Sequence, residues 1–196
     1  AIVLCVGNIT TGGTGKTPMV AWVVERLKRI GCNPAILTRG YKAAAGRSDE
    51  AELLKAACGV PVVVNPDRVA GAAEALSAGA DVLVMDDGYQ HRRLRRDLDI
   101  VLVDATNPFG FGRCLPRGLL REPASALRDA GVVVITRSNE IERDDLERLK
   151  TRLSRLAPAA TIHSAFHRPT GVVSESGTRP VSLLDGRRVL AFCGIA

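Results

Sequence analysis

The sequence predicts an α/β fold: a mostly parallel sheet with helices on both faces, followed by a short β-rich C-terminal portion. Three observations predict it. Short apolar runs alternate with segments of helical period, the pattern of repeated strand–helix units. Hydrophobic residues make up 46% of the chain and aromatics only 4%, so small aliphatics build the core, as in sheets buried on both faces. The first apolar run passes into a glycine-rich loop that opens an amphipathic helix.

The elements follow in order. Ile2–Val6 reads as the first strand. Val20, Val23, Val24, Leu27 and Ile30 fall on one face of the first helix,. Pro34–Leu37 is a second strand, and Leu53, Leu54 and Ala57 start a second helix. Val60–Val64 is a third strand, and Val69, Ala72, Ala73 and Leu76 mark a third helix. Val82–Met85, Ile100–Val103 and Val132–Ile135 are further strands. Leu146, Leu149, Leu153 and Leu156 mark a last helix. Past Pro158 the character changes: Thr161–Phe166, Gly171–Val173, Val181–Leu184 and Val189–Cys193 read as short strands, with turns at Glu175–Gly177 and Asp185–Gly186,. The expected division is a nucleotide-binding domain over 1–158 and, over 159–196, a β-rich extension or the start of a second lobe. Strand-like sequence at both termini reads as a fragment.

The 196 residues suit one α/β domain, or one plus the start of another,. The formal charge of +6 fits acidic partners such as phosphorylated substrates or anionic lipid,. The chain has no RNA-binding signature or aromatic-rich basic run, so nucleic acid is not an expected partner. Cys5, Cys32, Cys58, Cys114 and Cys193 are odd in number and form no C-x-x-C pair. Free thiols in a reducing compartment are the natural reading, without zinc. No apolar run reaches the ~18 residues that span a bilayer.

The strongest motif is VGNITTGGTGKTP, Val6–Pro18. It lies between a strand and a helix, the setting of a phosphate-binding P-loop, so the fold is expected to be of the P-loop NTPase type. Thr10, Thr11, Gly12, Gly13, Thr14, Gly15, Lys16 and Thr17 form the candidate ATP site. Backbone N–H groups would curl around phosphate oxygens, aided by the helix N-terminus. Lys16 would reach the β- and γ-phosphates, and Thr17 would place its hydroxyl on Mg²⁺. Thr10 stands where the common pattern has glycine.

Acidic residues supply candidate partners. Asp86 and Asp87 end the strand Val82–Met85, where P-loop proteins hold magnesium; Asp104 at the next strand end is a rival,. Ser48, Asp49 and Glu50 precede a helix. They read either as a cap with acids on the helix dipole or as a catalytic base with a metal-facing carboxylate. His91 either contacts phosphate, orients a neighbour or lies on the surface. His163 and His167 read as structural. Arg92, Arg93, Arg95 and Arg96 form a basic cluster, either a solvated face or a contact for an anionic membrane,.

Taken together, GNITTGGTGKTP (Gly7–Pro18), LTRGY (Leu37–Tyr41), DDGYQHRRLRRDLDIVLVD (Asp86–Asp104), NPFGFGRCLPRGLLREP (Asn107–Pro123) and FCGIA (Phe192–Ala196) resemble the tetraacyldisaccharide 4'-kinases. The glycine-rich piece is shared by many ATPases; the DDGYQH and NPFG pieces are far more specific. The resemblance implies a Gram-negative enzyme of lipid A synthesis on the cytoplasmic face of the inner membrane. It would move the γ-phosphate of ATP to the 4'-hydroxyl of a tetraacylated glucosamine disaccharide 1-phosphate. It implies Asp49 as base, with Lys16 and His91 in the catalytic set. Arg39, Gln90 and Glu122 would face substrate, and Thr17, Glu50, Asp86 and Asp87 would surround Mg²⁺. It also implies a membrane-associating helix before the first strand and a histidine-containing segment after FCGIA. The chain departs from the family in a shortened Gly40–Ser48 stretch, in Ala51 for a customary proline, and in Phe111 where asparagine is common.

Two rivals remain in view. Switch ATPases that dimerise around ATP carry a signature lysine where this chain has Thr11. GTP-dependent factors need a guanine-reading N-K-x-D motif, and Thr136-Arg137-Ser138-Asn139 does not match it,.

Overall fold

A computed structural model describes residues 1–40, 49–175 and 177–190. Its strands are β1 (Ile2–Asn8), β2 (Pro34–Thr38), β3 (Val62–Val64), β4 (Val82–Asp86), β5 (Leu98–Asp104), β6 (Val132–Thr136) and β7 (Thr161–Ser164). They form one seven-stranded sheet in the order β3-β2-β4-β1-β5-β6-β7, and every pairing is parallel. β2 and β4 are buried at every residue, which is why they read as unbroken apolar runs.

The helices are α1 (Lys16–Arg29), α2 (Asp49–Cys58), α3 (Arg68–Ser77) and α4 (Arg143–Leu156). Val20, Val23 and Val24 of α1 share one core cluster with Leu54 and Cys58 of α2. Ala72 and Ala75 of α3 share the opposite cluster with Leu149 and Leu153 of α4. Two helices therefore cover each face. β1 leads toward β2 on one side, and β5 leads toward β6 on the other. Such a reversal opens a crevice at the carboxyl ends of the strands, where ligands bind in open α/β sheets.

Several boundaries differ from expectation. β1 runs on to Asn8 because Gly7 and Asn8 still pair with Val101 and Leu102 of β5. β3 starts only after Pro61, which has no N–H for the ladder,. The strand expected at Thr161–Phe166 stops at Ser164 and is the edge strand of the main sheet, paired with β6. Val172–Ser174 and Gly177–Arg179 make a separate antiparallel hairpin, β8 and β9. Val181–Leu184 is a 3-10 turn behind Pro180 rather than a strand, closed by Leu183 N–H donating to the Pro180 carbonyl. The shortened loop and FCGIA lie outside the described residues.

Leu153 is fully buried, in one cluster with Leu127, Val133 and Ile135. Leu153→Ala should cost roughly 2–5 kcal/mol in urea unfolding. A loss under about 0.5 kcal/mol, typical of surface sites, would show that α4 is not part of the core.

Candidate active site

The loop between β1 and α1 occupies the crevice. Gly12 and Gly15 have φ of 105° and 86°, a region closed to most side chains. Gly15 caps α1 and turns the chain into the helix. Thr10 departs from the common pattern without strain, because its φ is not positive. It is buried and forms an antiparallel bridge with Leu120. Thr11 N–H donates to the Leu119 carbonyl at 2.7 Å, and Arg121 N–H to the Ile9 carbonyl at 2.7 Å. The loop Asn107–Pro123 is thereby stapled along the P-loop.

Asn8, fully buried at the end of β1, ties several site residues together. Its amide donates to Thr14 Oγ1 at 2.9 Å. Its Oδ1 accepts from Lys16 Nζ at 3.4 Å, and its carbonyl accepts from Gln90 Nε2 at 2.9 Å. Lys16 also lies 3.7 Å from Asp87 Oδ1. Gln90 donates to Glu122 at 2.7 Å.

Asp86 ends β4 opposite Val6 of β1. It is 1% exposed, and neither carboxylate oxygen has a hydrogen-bond partner among the described residues. Burial, then the charges of Glu50 and Asp87, push its pKa up to about 7 against the pull of Lys16 and Arg68. Buried Arg68 meets its backbone instead, with one guanidinium nitrogen donating to the Asp86 carbonyl at 3.4 Å and another to Asn65 at 2.9 Å. Asp87, with φ of 49°, turns the other way. Both its oxygens accept from Arg121 at 2.8 Å.

These placements separate the two aspartates expected around magnesium. Asp87 is committed to Arg121 and Lys16, whereas Asp86 has no hydrogen-bond partner among the described residues. Among the described residues no group of three or more His, Cys, Asp or Glu is gathered to hold a metal by itself. The donors present suit a hard cation that takes most of its ligands from phosphate and water. The rival Asp104 is occupied by Arg137 and Thr106.

Asp49 opens α2 as an exposed residue, and Glu50 behind it is near enough to act on Asp86. Arg39, exposed at the end of β2, is near enough to repel Arg68. Thr17 lies in the first turn of α1. His91 is half-buried, and its Nε2 has no partner among the described residues. Burial first, then Arg68 and Arg93, hold its pKa below the usual value, so it is a neutral imidazole at pH 7.

Of the basic cluster, Arg96 points inward. It donates to the carbonyls of Gly88, Tyr89 and His91 and pairs with Asp99 at 2.9 Å. Arg92 lies within ion-pair range of Glu122 and Asp129, and Arg93 within range of Asp67. Sequence reasoning missed Asn8, Arg68, Arg121 and Arg137. Arg137 donates to the Gly13 carbonyl at 3.1 Å. Asn8, Arg121 and Arg137 lie inside stretches noted for other reasons, whereas nothing in the sequence marks Arg68.

A cavity of about 710 Å³ opens beside this loop, lined by Gly15, Met19, Trp22, Thr136, Arg137 and His167 among others. His163 and His167 both line it.

Comparison with known proteins adds the family. A family model described as tetraacyldisaccharide-1-P 4'-kinase, LpxK, matches residues 1–196. The chain belongs to the tetraacyldisaccharide 4'-kinase family. A tetraacyldisaccharide 4'-kinase of Anaeromyxobacter sp. (strain K) is 42% identical over 100% of this chain and 57% of its own length. One from Syntrophus aciditrophicus (strain SB) is 40% identical over 98% and 59%. A crystal structure of LpxK from Aquifex aeolicus in complex with ATP is 28% identical, with a TM-score of 0.71, over 96% of this chain and 62% of that one. The chain thus spans less than two thirds of each of these 4'-kinases. The hydrogenase maturation factor HypB of Archaeoglobus fulgidus, 13% identical with a TM-score of 0.58 over 85% of this chain and 81% of its own, shares the fold alone.

The Asp86 carboxyl yields a pH prediction for this family member. Its folded pKa of about 7 lies above the ordinary value of 3.8, so the folded state binds the proton more tightly. Without a cation, that stabilisation is lost as pH rises from about 4 through about 7. Asp86→Asn should raise the melting temperature of the nucleotide-free protein at pH 8 by roughly 5 °C, and the gap should close toward pH 4. Parallel pH profiles for the two proteins would contradict this.

Proposed function

We propose that the full-length protein transfers the γ-phosphoryl group of ATP to the 4'-hydroxyl of a tetraacylated glucosamine disaccharide 1-phosphate. The observation that carries this is the closeness of Lys16, at the start of α1, to Asp86, which has no hydrogen-bond partner among the described residues, in a chain matched over residues 1–196 by a 4'-kinase family. Phosphoryl transfer is mainly positioning and electrostatics, and each residue has a place in that scheme. The amides of residues 10–15 and Lys16 hold the β- and γ-phosphates. Asp87 and Asn8 aim Lys16. The cavity beside Gly15 receives the nucleoside; its volume is within the range of small-ligand pockets,. Asp86, Thr17 and Glu50 would hold Mg²⁺, which would neutralise charge on the phosphates.

Asp49 accepts the proton of the sugar hydroxyl, and His91 joins the catalytic set. Arg39, Gln90 and Glu122 line the acceptor side, Glu122 held by Gln90 and Arg92. The segment from about residue 159 onward opens a second lobe, with β7 lent to the main sheet. The enzyme works at the cytoplasmic face of the inner membrane as a peripheral protein. Among the described residues no helix is long and apolar enough to cross a membrane.

The switch-ATPase alternative is disfavoured by Thr11. Its N–H and hydroxyl are both tied to the Leu119 carbonyl, so position 11 is spent on an internal staple and carries no lysine for a partner's phosphate.

Labelled γ-phosphate should appear in the disaccharide lipid, and Lys16→Ala should lower Mg·ATP affinity by about tenfold or more, read with a fluorescent ATP analogue. Equal affinity in both proteins would remove the P-loop assignment. ATP hydrolysis with ATP-driven dimerisation and no lipid product would favour the switch class.

Asp49 separates base from helix cap. As base, Asp49→Ala should cut turnover about 10²-fold or more while ATP affinity and melting temperature hold. As a cap, it should cost roughly 1 kcal/mol of stability and leave turnover near normal.

A further inference from the structure

We propose that the loop Phe111–Leu119 docks the protein on an anionic lipid bilayer. Every residue from Phe111 to Arg117 is exposed. Phe111 is 76% exposed, Leu115 53% and Leu119 37%. Arg113 and Arg117 stand between them, and no acidic side chain occurs from Ala105 to Arg121. Among the described residues neither Arg113 nor Arg117 has an ion-pair partner. Large apolar side chains set among free arginines match the chemistry of a membrane interface, where rings and aliphatic chains enter the acyl boundary and cations meet phosphate headgroups. Neither signal alone anchors well, and the loop carries both.

The loop is rigid enough to act as a wedge. Leu119 N–H donates to Gly110, Leu120 to Arg113, and Leu115 to Leu120, at 2.9–3.1 Å. Gly118 fills a gap that a Cβ would block, 2.2 Å from the Arg113 carbonyl. Phe111 has φ of 64°, which a bulky side chain adopts only when its surroundings impose it. The backbone thus holds the ring out in water. Water gives no return for that arrangement, whereas a bilayer does.

Position supplies the remaining argument. The loop joins the P-loop through the Thr11–Leu119 and Arg121–Ile9 hydrogen bonds, and Arg121 grips Asp87. Docking it would hold the phosphate site at the plane where a lipid headgroup presents its hydroxyl. This rests on the lipid-kinase reading and replaces the Arg92–Arg96 cluster as the contact, since three of those four arginines lie beside carboxylates and Arg96 points inward.

Cys114 lies in the loop and is exposed, whereas Cys5 and Cys58 are buried and Cys32 is half-buried. In the full-length protein, with the other reactive thiols replaced by serine, an environment-sensitive fluorophore on Cys114 should shift to the blue on phosphatidylethanolamine–phosphatidylglycerol vesicles. Lipids carrying a quencher near the headgroup should quench it. Phe111→Ser with Leu115→Ser should weaken vesicle binding about tenfold or more. Arg113→Gln with Arg117→Gln should weaken it on these vesicles, by roughly fivefold per arginine, and leave binding to phosphatidylcholine vesicles unchanged. ATP affinity and melting temperature should hold in both. A water-like signal on vesicle-bound protein, or unchanged binding by both double variants, would overturn the proposal. So would protection of Cys114 from labelling before vesicles are added, which would mean that protein covers the loop. Lipid phosphorylation with Cys114 still in water would sink the docking surface alone; a positive Cys114 result without phosphorylation would sink the kinase reading alone.

Discussion

A buried carboxylate with no hydrogen-bond partner among the described residues governs this site. Asp86 is delivered by a strand whose every residue is buried, and its register against β1 sets it beside the start of the P-loop. Buried charge is tolerated where it is paired or where a cation completes it. Among the described residues the nearby cations do not complete it: Arg68 spends its hydrogen bonds on backbone carbonyls, and Lys16 is drawn toward Asn8 and Asp87. The next residue resolves differently. A positive φ at Asp87 swings its carboxylate onto Arg121. Adjacent aspartates therefore differ: Asp86 has no hydrogen-bond partner among the described residues, and Asp87 fixes the protein's own positive charges.

The staple between the P-loop and the loop Asn107–Pro123 carries this division outward. Thr10 in extended conformation can bridge Leu120, which a left-handed glycine at that position would not favour,. The departure from the usual P-loop pattern thus has a structural reason. The bridge brings Arg121 to Asp87 and Glu122 to Gln90. Thr14, Lys16, Gln90 and Glu122, far apart in sequence, share one hydrogen-bonded unit anchored on Asn8.

Much of the fold was legible in the sequence because its core strands are short, wholly apolar and bounded by turn residues; β2, β4 and β6 fall within a residue of their expected ends. The edges were less legible. β7 is mostly exposed and has little apolar pattern to tell a main-sheet strand from an appended one. Val181–Leu184 has the composition of a strand, but Pro180 and the following turn decide its shape. In the site, Lys16 and Asp86 were legible because strand ends and glycines mark them. Arg68 and Arg137 were not, since an arginine at a helix start or in a loop looks like any solvated arginine until the fold closes around it. For the Arg92–Arg96 run, sequence gives the charges but not their carboxylate partners.

Asp86 is the proposed anchor for a divalent cation. Electron paramagnetic resonance of Mn²⁺ titrated into the protein with ADP measures this directly. Asp86→Asn should weaken Mn²⁺ affinity about tenfold or more, while ADP affinity in chelator stays the same or improves. Unchanged Mn²⁺ affinity in Asp86→Asn, with loss in Asp87→Asn or Asp104→Asn instead, would contradict the account and move the cation elsewhere.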